Sequence, residues 1–406
     1  MSAGRGLIPV AEALAAVFRL TPRMPAETVP LEAAAGRVLA ADALARRDQP
    51  PFAASAMDGY AVRAAEAVAG ARLTLAGESA AGHRHGGALP AGAAIRIFTG
   101  APVPAGADAI LIQEDAEAGA GLVTVREGPA PGAFIRPAGG DFTLGERLAA
   151  PLRITPRHVA LLAAMNLATL EVARRPRVAL IPTGDELVTP GDTPGPDQIV
   201  SSNNYGLAAM LAARGAEPLL CPIAADRPES LAASLRVARD ADIVVTLGGA
   251  SVGDHDLVAA VAAEAGLERA FYKIAMRPGK PLIAGRLGDA MLVGLPGNPV
   301  SAMICGEVFL VPAIEAAQGL PEQPRARVPA RLAHALPANG PREHYMRAVL
   351  GRPAPGAALP EVRVFENQDS SLLATLAQAN AVAVRPPHAP ALPEGAEIEA
   401  IPLDGC

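Results

Sequence analysis

A buried-strand pattern runs directly into a glycine-rich loop at Ile243-Val244-Val245-Thr246-Leu247-Gly248-Gly249-Ala250-Ser251-Val252-Gly253-Asp254-His255-Asp256. Apolar residues at helical spacing follow over residues 257–265, and strand and helix patterns alternate throughout residues 177–319. Such alternation is typical of a mostly parallel sheet with helices on both faces. The sequence therefore predicts a central, doubly wound α/β domain in the second half of the chain.

Three further polar motifs follow strand patterns in the same half. They are Thr183-Gly184-Asp185-Glu186, Arg277-Pro278-Gly279-Lys280 and Leu295-Pro296-Gly297-Asn298-Pro299. Ligands of a parallel sheet bind in the crevice beyond the carboxyl ends of its strands, so we expect the four motifs to converge on one pocket. Carboxylates, cations and exposed backbone N–H groups together suit a phosphorylated ligand and a divalent cation.

Four carboxylates are candidate ligands for Mg²⁺, because this cation prefers oxygen. They are Asp185, Glu186, Asp226 and Asp256. Each has a simpler interpretation. Asp185 and Glu186 also suit solvated loop positions, whereas Asp226 and Asp256 suit the starts of helices, with Pro228 in the first turn after Asp226.

The candidate substrate-binding residues are amide donors, cations and rigid turn positions. They are Gly248, Gly249, Ser251, Lys273, Arg277, Lys280, Pro296 and Pro299. Glycines let backbone N–H groups approach an anion, and basic side chains bind phosphate or another oxyanion. Each group has a simpler interpretation: a tight turn for the glycine loop, a solvated turn for the basic residues, and a purely structural link between strand and helix for the prolines.

Two positions in the first half also stand out. Asp58 is the one carboxylate in residues 50–62, a stretch that is apolar and flanked by aromatic residues. This placement predicts a functional acid, and an ordinary Asp-Gly turn is the alternative. Thr99 ends a strand pattern, where its hydroxyl can serve either a ligand or a turn.

The pattern of the chain changes three times. Helical spacing over Ile8–Leu20 and Leu31–Ala43 gives way to short β-like runs between about 52 and 135, then returns at Pro156–Leu170. After Pro321 the pattern is β again. We predict an N-terminal mixed helical domain (1–50 plus 140–172), an inserted small β domain (51–139), an α/β domain (173–321) and a C-terminal β-barrel-like domain (322–406).

Composition narrows the classes of function. The net charge is −6 and no basic run with interleaved aromatic residues occurs, so we expect no nucleic-acid binding. The three cysteines form no spaced pair, which disfavours disulfides and cysteine zinc sites. The nearest candidate for a membrane span, residues 159–170, is short and broken by polar residues, and residues 1–18 have no signal-peptide layout. We expect no membrane association and a cytoplasmic location.

Four motifs, in this order along the chain, resemble those of the molybdopterin molybdenumtransferase family, the bacterial enzymes related to the E domain of gephyrin. They are Ser55-Ala56-Met57-Asp58-Gly59-Tyr60-Ala61-Val62, Thr99-Gly100-Ala101-Pro102-Val103-Pro104, Thr183-Gly184-Asp185-Glu186-Leu187 and Leu295-Pro296-Gly297-Asn298-Pro299-Val300-Ser301. The similarity is collinear from about residue 8 to 384. It implies four subdomains, an elongated homodimer, and a site between the α/β domain of one subunit and the N-terminal regions of the other.

The resemblance also implies a reaction. The substrates adenylylated molybdopterin and molybdate give molybdenum cofactor and AMP, with Mg²⁺ as cofactor. The residues that match functional positions of the family are Asp58, Thr99, Asp141, Glu186, Asp226, Asp256, Lys273, Arg277, Pro296 and Pro299. Of these we take as catalytic candidates Asp58, Thr99, Glu186, Asp226 and Asp256. The implied partners are a second copy of the chain, a molybdopterin adenylyltransferase and downstream molybdoenzyme maturation proteins.

Two other functions are compatible with the sequence. One is a molybdopterin adenylyltransferase, although that smaller enzyme lacks both the Asp58 motif and a C-terminal β domain. The other is a non-catalytic homologue that binds cofactor intermediates or acts as a scaffold. The chain also departs from the family pattern at several positions: Arg277 stands where lysine is frequent, Ala53-Ala54 and Ser201 replace polar or acidic residues, and residues 367–371 lack the expected glycines.

Overall fold

A six-stranded sheet forms the centre of the fold in the computed structural model, which describes residues 7–248, 257–353 and 355–403. Its strands are, in spatial order, Glu217–Leu220, Arg177–Pro182, Ile243–Leu247, Ala290–Leu295, Ile283–Leu287 and Glu268–Tyr272. The first four run parallel, and the last two each run antiparallel to their neighbours. The predicted α/β architecture is therefore confirmed. The apolar pattern of residues 272–276 predicts one strand there, and this prediction is wrong, because Glu268–Tyr272 ends at residue 272 and Met276–Arg277 belongs to another sheet.

Helices cover both faces of this sheet. They are Asn203–Ala213, Pro228–Val237, Leu257–Glu264, Pro299–Cys305 and Val311–Ala317, with a π-helical segment at Gly306–Leu310. Successive strand residues point to opposite faces. Val178 and Leu180 accordingly lie in one core cluster, and Ala179 and Ile181 lie in the other.

The N-terminal helix, Val10–Leu20, completes one face of the α/β core. Its buried residues, including Leu14 and Val17, belong to the same cluster as strand residues of the central sheet. It therefore packs against the α/β part of the chain, although its place in the sequence falls within the predicted N-terminal domain. The domain boundaries at residues 50, 139, 172 and 321 stay predictions.

The segment Pro299–Ala317 is long and apolar enough to cross a membrane by length and composition alone. The prediction that residues 159–170 are the nearest candidate for a membrane span is therefore wrong. In the fold, however, 89% of its apolar 18-residue stretch is buried inside the protein, as in the core helix of a globular domain. Pro312 is expected to divide this helix because it has no N–H to donate, and the π-helical segment Gly306–Leu310, which ends two residues before Pro312, does separate Pro299–Cys305 from Val311–Ala317.

A four-stranded antiparallel sheet forms the first part of the chain. Its order is Ala26–Pro30, Thr169–Ala173, Val38–Leu39 and Leu152–Arg153, with the helix Pro156–Ala164 and a strand pair of Ala43–Leu44 with Arg147–Leu148 beside it. The helix predicted at Leu31–Ala43 is wrong. Only Leu31–Ala33 forms a short 3₁₀ turn, because Gly36 takes a φ of +77° and its N–H bonds to the Ile154 carbonyl.

The inserted β region forms a second six-stranded sheet. Its order is Ala109–Ile112, Gly59–Val62, Ala93–Ile97, Arg72–Ser79, Leu122–Val125 and Ala116–Gly119. A short pair, Ala54–Ser55 with Ile135–Arg136, lies at the base of the insertion. Every bound lies within one residue of its predicted position, apart from the end of the longer Arg72–Ser79, for the four strands that the sequence pattern predicts here: Ala71–Leu75, Ala94–Phe98, Ala109–Gln113 and Leu122–Arg126.

The C-terminal region is a closed five-stranded barrel. Its strands are, in order around the barrel, Glu343–Leu350, Glu361–Val364, Val328–Leu332, Glu397–Pro402 and Ala381–Arg385, which pairs back with the first. A short helix, Leu373–Gln378, lies between two of them. The strand Met276–Arg277 leaves the α/β part and pairs with the barrel, and Ile8 bridges to Ile274 on the same segment.

Candidate active site

A crevice of about 770 Å³ opens at the carboxyl ends of Arg177–Pro182, Ile243–Leu247 and Ala290–Leu295. This is the position expected for the ligand site of a parallel sheet. The predicted site residues that line it are Glu186, Asp226, Gly248, Pro296 and Pro299. Three of the four motifs therefore contribute to one crevice, and Pro281 extends the fourth motif to its edge.

The acidic side of the crevice is shaped by a glycine. Gly184 has a φ of +143°, and a Cβ placed on it would lie 2.2 Å from Oε2 of Glu186. The Glu186 carboxylate thus occupies the space that any side chain at 184 would fill. Beside it, Oδ1 of Asp185 accepts a hydrogen bond from the Asp226 backbone N–H at 3.1 Å. All three carboxylates are exposed, so they remain available to a solvated ligand.

A second glycine lets two strand ends approach each other at the floor. Gly248 has a φ of +98°, and a Cβ there would lie 2.7 Å from the Thr183 carbonyl oxygen. The rest of its motif, including Gly249, Ser251 and Asp256, lies outside the described residues, so the predicted anion loop and its carboxylate stay predictions.

The turn Pro296–Pro299 is held by side chains from other parts of the chain. Asn203 donates from Nδ2 to the Gly297 carbonyl at 2.7 Å. Asn298 immediately precedes the helix Pro299–Cys305, a position that predicts a side-chain cap, but its side chain does not cap the helix. Instead, Asn298 donates to the Ser370 hydroxyl at 3.0 Å, and the Ser370 carbonyl accepts from the Val300 N–H at 3.0 Å. Residues of the C-terminal barrel thus reach the crevice.

Lys273 lies at the same edge of the sheet. Strand register aligns Tyr272 with Ile283 and Ile283 with Gly294, so the chain emerges after Tyr272 level with the crevice strands. Lys273 takes a φ of +72°, and its Nζ lies 4.9 Å from the centroid of the Tyr272 ring, a cation–π distance. Lys280 lies in the loop that precedes the strand Ile283–Leu287, and its carbonyl accepts from the Ile274 N–H at 3.0 Å.

Arg277 lines a different cavity. This cavity, of about 650 Å³, lies in the C-terminal barrel and is also lined by His344 and Arg385. Burial lowers the pKa of His344 to about 4, with further lowering by the charges of Arg277, Arg342 and Arg385. The expectation that Arg277 joins the crevice is wrong in this respect. The strand Met276–Arg277 pairs with Glu343–His344 and so carries Arg277 toward the barrel.

Asp58 and Thr99 form a compact unit in the inserted β region. Oδ1 of Asp58 accepts from the Thr99 backbone N–H at 2.7 Å and from the Thr99 hydroxyl at 2.8 Å. These two hydrogen bonds lower the pKa of Asp58, and the bond from the backbone N–H has the larger effect. The positive charge of Arg96 acts in the same direction. Arg96 is itself held between the rings of Tyr60 and Phe98, at 5.1 and 4.9 Å from their centroids.

Neither Asp58 nor Thr99 lines the crevice of its own chain. Asp141, in the N-terminal part, is exposed and donates its backbone N–H to the Gln49 carbonyl at 2.9 Å. Asn203 and Ser371 also line the crevice, and neither is among the predicted site residues, because their places in the crevice depend on contacts between distant segments.

No group of three Asp, Glu, His or Cys side chains close enough to hold a metal ion occurs within residues 7–248, 257–353 and 355–403. The predicted ligands Asp185, Glu186 and Asp226 therefore form a loose set on the crevice rim and not a closed cage. Asp256, the fourth, falls outside the described part of the chain.

Comparison with known proteins identifies the family. Three family models match the chain in succession: the MoeA N-terminal region (domain I and II) over residues 8–166, a probable molybdopterin binding domain over 179–316, and the MoeA C-terminal region (domain IV) over 329–403. A molybdopterin molybdenumtransferase of a Nostoc species is 36% identical over 386 residues, covering 91% of this chain and 88% of its own. The chain belongs to the molybdopterin molybdenumtransferase family.

Other family members match most or nearly all of the chain. Molybdopterin molybdenumtransferase 2 of Mycobacterium tuberculosis is 40% identical over 342 residues, which cover 80% of this chain and 84% of that one. The crystal structure of a MoeA molybdopterin biosynthesis protein from Pyrococcus horikoshii superposes with a TM-score of 0.84 at 31% identity and covers 99% of this chain and 100% of its own. Apart from Ser371 and Leu373, which lie in the part that matches the MoeA C-terminal region, the crevice residues lie in the part that matches the molybdopterin-binding model.

Proposed function

We propose that this protein inserts molybdenum into molybdopterin during molybdenum cofactor biosynthesis. It would bind adenylylated molybdopterin and molybdate in the crevice and release molybdenum cofactor and AMP. The observation that carries the proposal is the crevice itself. It is lined by Glu186, Asp226 and Gly248 at three strand ends, and these residues lie within the stretch similar to a molybdopterin-binding domain.

The composition of the crevice suits this chemistry. The sulfur atoms that take up the metal belong to the substrate, so no thiolate is required of the protein. Cys221 and Cys305 are both buried, and burial raises the pKa of each thiol. Molybdate and phosphate are oxyanions, and Lys273 and Lys280 lie at the crevice edge of the sheet, where cations favour their binding.

The residues present fit Mg²⁺ in the manner usual for this ion. Mg²⁺ is commonly held by one or two carboxylates together with substrate phosphates and water, so a loose rim of acids is sufficient. Glu186 and Asp226 would hold it, with Asp185 beside them; the space above Gly184 keeps the Glu186 carboxylate at the rim. When bound, the ion would neutralise charge on the phosphate oxygens. The lysines would neutralise the remaining charge.

We further propose that Asp58 and Thr99 act in the crevice of a second copy. In their own chain they bond to each other and not to crevice residues, yet they match functional positions of the family. A carboxylate with a lowered pKa stays ionised at neutral pH, so Asp58 would act as an acceptor or electrostatic group. The protein would be a cytoplasmic homodimer that receives its substrate from a molybdopterin adenylyltransferase and passes the product to molybdoenzyme maturation proteins.

The direct test is to incubate the purified protein with adenylylated molybdopterin, molybdate and Mg²⁺ and to measure AMP. We expect AMP release that requires all three, and release without molybdate or none at all would refute the proposal. Glu186→Gln removes a charge from an exposed side chain, so it should abolish release while leaving urea unfolding unchanged.

Subunit mixing tests the shared site. Glu186→Gln and Asp58→Asn should each be inactive alone. If each site takes Asp58 from one subunit and Glu186 from the other, an equal mixture refolded together regains about a quarter of wild-type activity, because half of the dimers then hold one intact site. An inactive mixture, with mixed dimers verified by tagged subunits, would show that both residues act within one chain.

A further inference from the structure

One wall of the crevice comes from the C-terminal barrel. The loop 367–372, called here the barrel loop, joins a barrel strand to the helix Leu373–Gln378, and its residue Ser371 lines the crevice. Ser370 ties the loop to the first turn of the helix at Pro299 through its carbonyl and hydroxyl, as described above. The loop is thus a fixed part of the site and not a free surface loop.

Arg347 holds the barrel loop from behind. It lies on the barrel strand Glu343–Leu350 and is 1% exposed. Its guanidinium donates to the carbonyl of Leu372 at 2.9 Å and, from the other nitrogen, to those of Asn367 at 3.1 Å and Asp369 at 2.9 Å. Gln368 accepts from the Arg347 backbone N–H at 3.0 Å and donates back to the Arg347 carbonyl at 3.1 Å.

This set of acceptors requires arginine. The three carbonyls lie around a planar fork, whose N–H groups have fixed directions, whereas a lysine ammonium is a compact charge on a flexible stem. Lysine can therefore keep the positive charge at this position without satisfying the three carbonyls together. The loop conformation depends on the shape of the guanidinium more than on its charge.

The barrel loop also fixes the proton of the Ser371 hydroxyl. Oδ1 of Asp369 accepts from the Ser371 backbone N–H at 2.8 Å and from its hydroxyl at 2.6 Å. These hydrogen bonds lower the pKa of Asp369, and the bond from the hydroxyl has the larger effect. The Asp369 carboxylate is therefore ionised at neutral pH. Because the hydroxyl proton is engaged, Ser371 Oγ offers only its lone pairs to the crevice and suits a ligand N–H or O–H, not a phosphate oxygen.

We infer that Arg347 is a positioning residue that holds Ser371 in the crevice as a hydrogen-bond acceptor for the substrate. The ligand group it accepts from is an N–H or O–H donor, of which the proposed substrate carries two sources, the pterin ring and the nucleotide. The inference rests on the proposed function for the identity of that substrate. Arg347 acts only through the barrel loop and does not contact the crevice itself.

The test measures binding without turnover. Affinities for AMP, for molybdopterin and for adenylylated molybdopterin are compared between wild type, Ser371→Ala and Ser371→Thr, in the absence of molybdate. We expect Ser371→Ala to bind adenylylated molybdopterin roughly 2- to 10-fold more weakly, the effect of one lost hydrogen bond, and Ser371→Thr to bind like wild type. Whichever of AMP and molybdopterin loses the same factor carries the donor. Unchanged affinity for all three ligands would overturn the inference.

A double-mutant cycle tests the role of Arg347. Arg347→Lys should weaken binding as Ser371→Ala does, with kcat little changed, and the double variant should be no worse than the poorer single one. Additive losses would overturn a role through Ser371. Arg363→Lys, an exposed arginine of the neighbouring barrel strand, is the matched control and should bind normally. If Arg347→Lys does not fold, Gln368→Met, which removes the other tie to the loop, takes its place in the cycle.

These outcomes are separable from those of the proposed function. A wild type that binds adenylylated molybdopterin but releases no AMP would refute the proposed reaction, while the binding comparison still decides the role of Arg347. Conversely, normal AMP release by wild type together with unaltered binding by Ser371→Ala would refute this inference alone.

Discussion

Replacing Gly184 by alanine should separate the placement of Glu186 from the stability of the fold. The new Cβ would lie 2.2 Å from Oε2, 2.6 Å from Cδ and 2.7 Å from Oε1 of Glu186. The carboxylate is the far end of a flexible, exposed side chain, so it can rotate away. It must retreat by about 1 Å to reach an ordinary contact distance. Since a misplacement of this size at a catalytic site costs about 100-fold in rate, we expect kcat/KM for AMP release to fall by about that factor.

The fold should lose little more than the cost of backbone strain. A residue with a side chain at a φ of +143° costs about 1–3 kcal/mol in free energy of unfolding. The expected 100-fold loss of activity corresponds to about 2.7 kcal/mol in the activation free energy. The two losses are of similar size but appear in different measurements. Urea unfolding reports the first, and AMP release under conditions where the protein is fully folded reports the second.

Gly191→Ala is the matched control. Gly191 lies in the same segment after the strand, with a φ of +100°, but a Cβ there meets nothing within 4 Å. Its variant should show a similar loss of unfolding free energy and retain activity. If Gly184→Ala and Gly191→Ala have equal activity, Glu186 does not act from the position seen here. Raising the Mg²⁺ concentration should partly rescue Gly184→Ala if the displaced carboxylate helps to hold this ion.

Three further predictions follow from the geometry. Thr99→Val removes one donor to Asp58, so the pKa of Asp58 rises and the acid limb of the pH–rate profile of AMP release should move to higher pH. His344 stays neutral in the fold down to about pH 4, whereas the unfolded chain takes up a proton near 6.5. Wild type should therefore lose stability relative to His344→Gln as the pH falls from 6.5 toward 4, in urea titrations, and parallel curves would contradict the burial of a neutral imidazole. Arg325→Met removes the 2.7 Å ion-pair partner of Glu307, which is 4% exposed, and should cost about 3–5 kcal/mol in urea unfolding; adding Glu307→Gln should reduce that loss.

Elements with a continuous apolar, β-branched run were predictable from the sequence. Ile243–Leu247 and Ala381–Arg385 have the bounds that their sequence patterns indicate. Both are fully buried, so burial and local preference favour the same structure. By contrast, Leu31–Ala43 has helical spacing of alanine and leucine, but Gly36 and the pairing of Val38–Leu39 with distant strands decide its structure. The strand Ile283–Leu287 was missed because Gly285 and Arg286 interrupt its apolar pattern.

The candidate site could be predicted only as far as the topology of the sheet determines it. The crevice residues Glu186, Gly248 and Pro296 each follow a parallel strand, and strand ends meet at one edge whatever else the chain does. The position of Arg277 is not determined by the central sheet, because its strand Met276–Arg277 pairs with the barrel. Ser371 reaches the crevice through hydrogen bonds between residues far apart in sequence, for which a single sequence gives no signal.

The segment 274–277 has a consequence for any attempt to isolate the α/β part. The Ala275 N–H donates to the Ile8 carbonyl, and the Ala275 carbonyl accepts from the Glu343 N–H. This segment is therefore hydrogen-bonded both to the N-terminal part of the chain and to the C-terminal barrel. A fragment of residues 173–321 would lack the helix Val10–Leu20, so the apolar surface that this helix covers would be exposed to solvent. The edge of the strand Met276–Arg277 would also be unpaired, and both changes promote aggregation. A fragment that is stable alone would need residues 8–20 fused to it, and polar residues in place of the apolar residues that the barrel covers. Limited proteolysis should accordingly release no folded central piece.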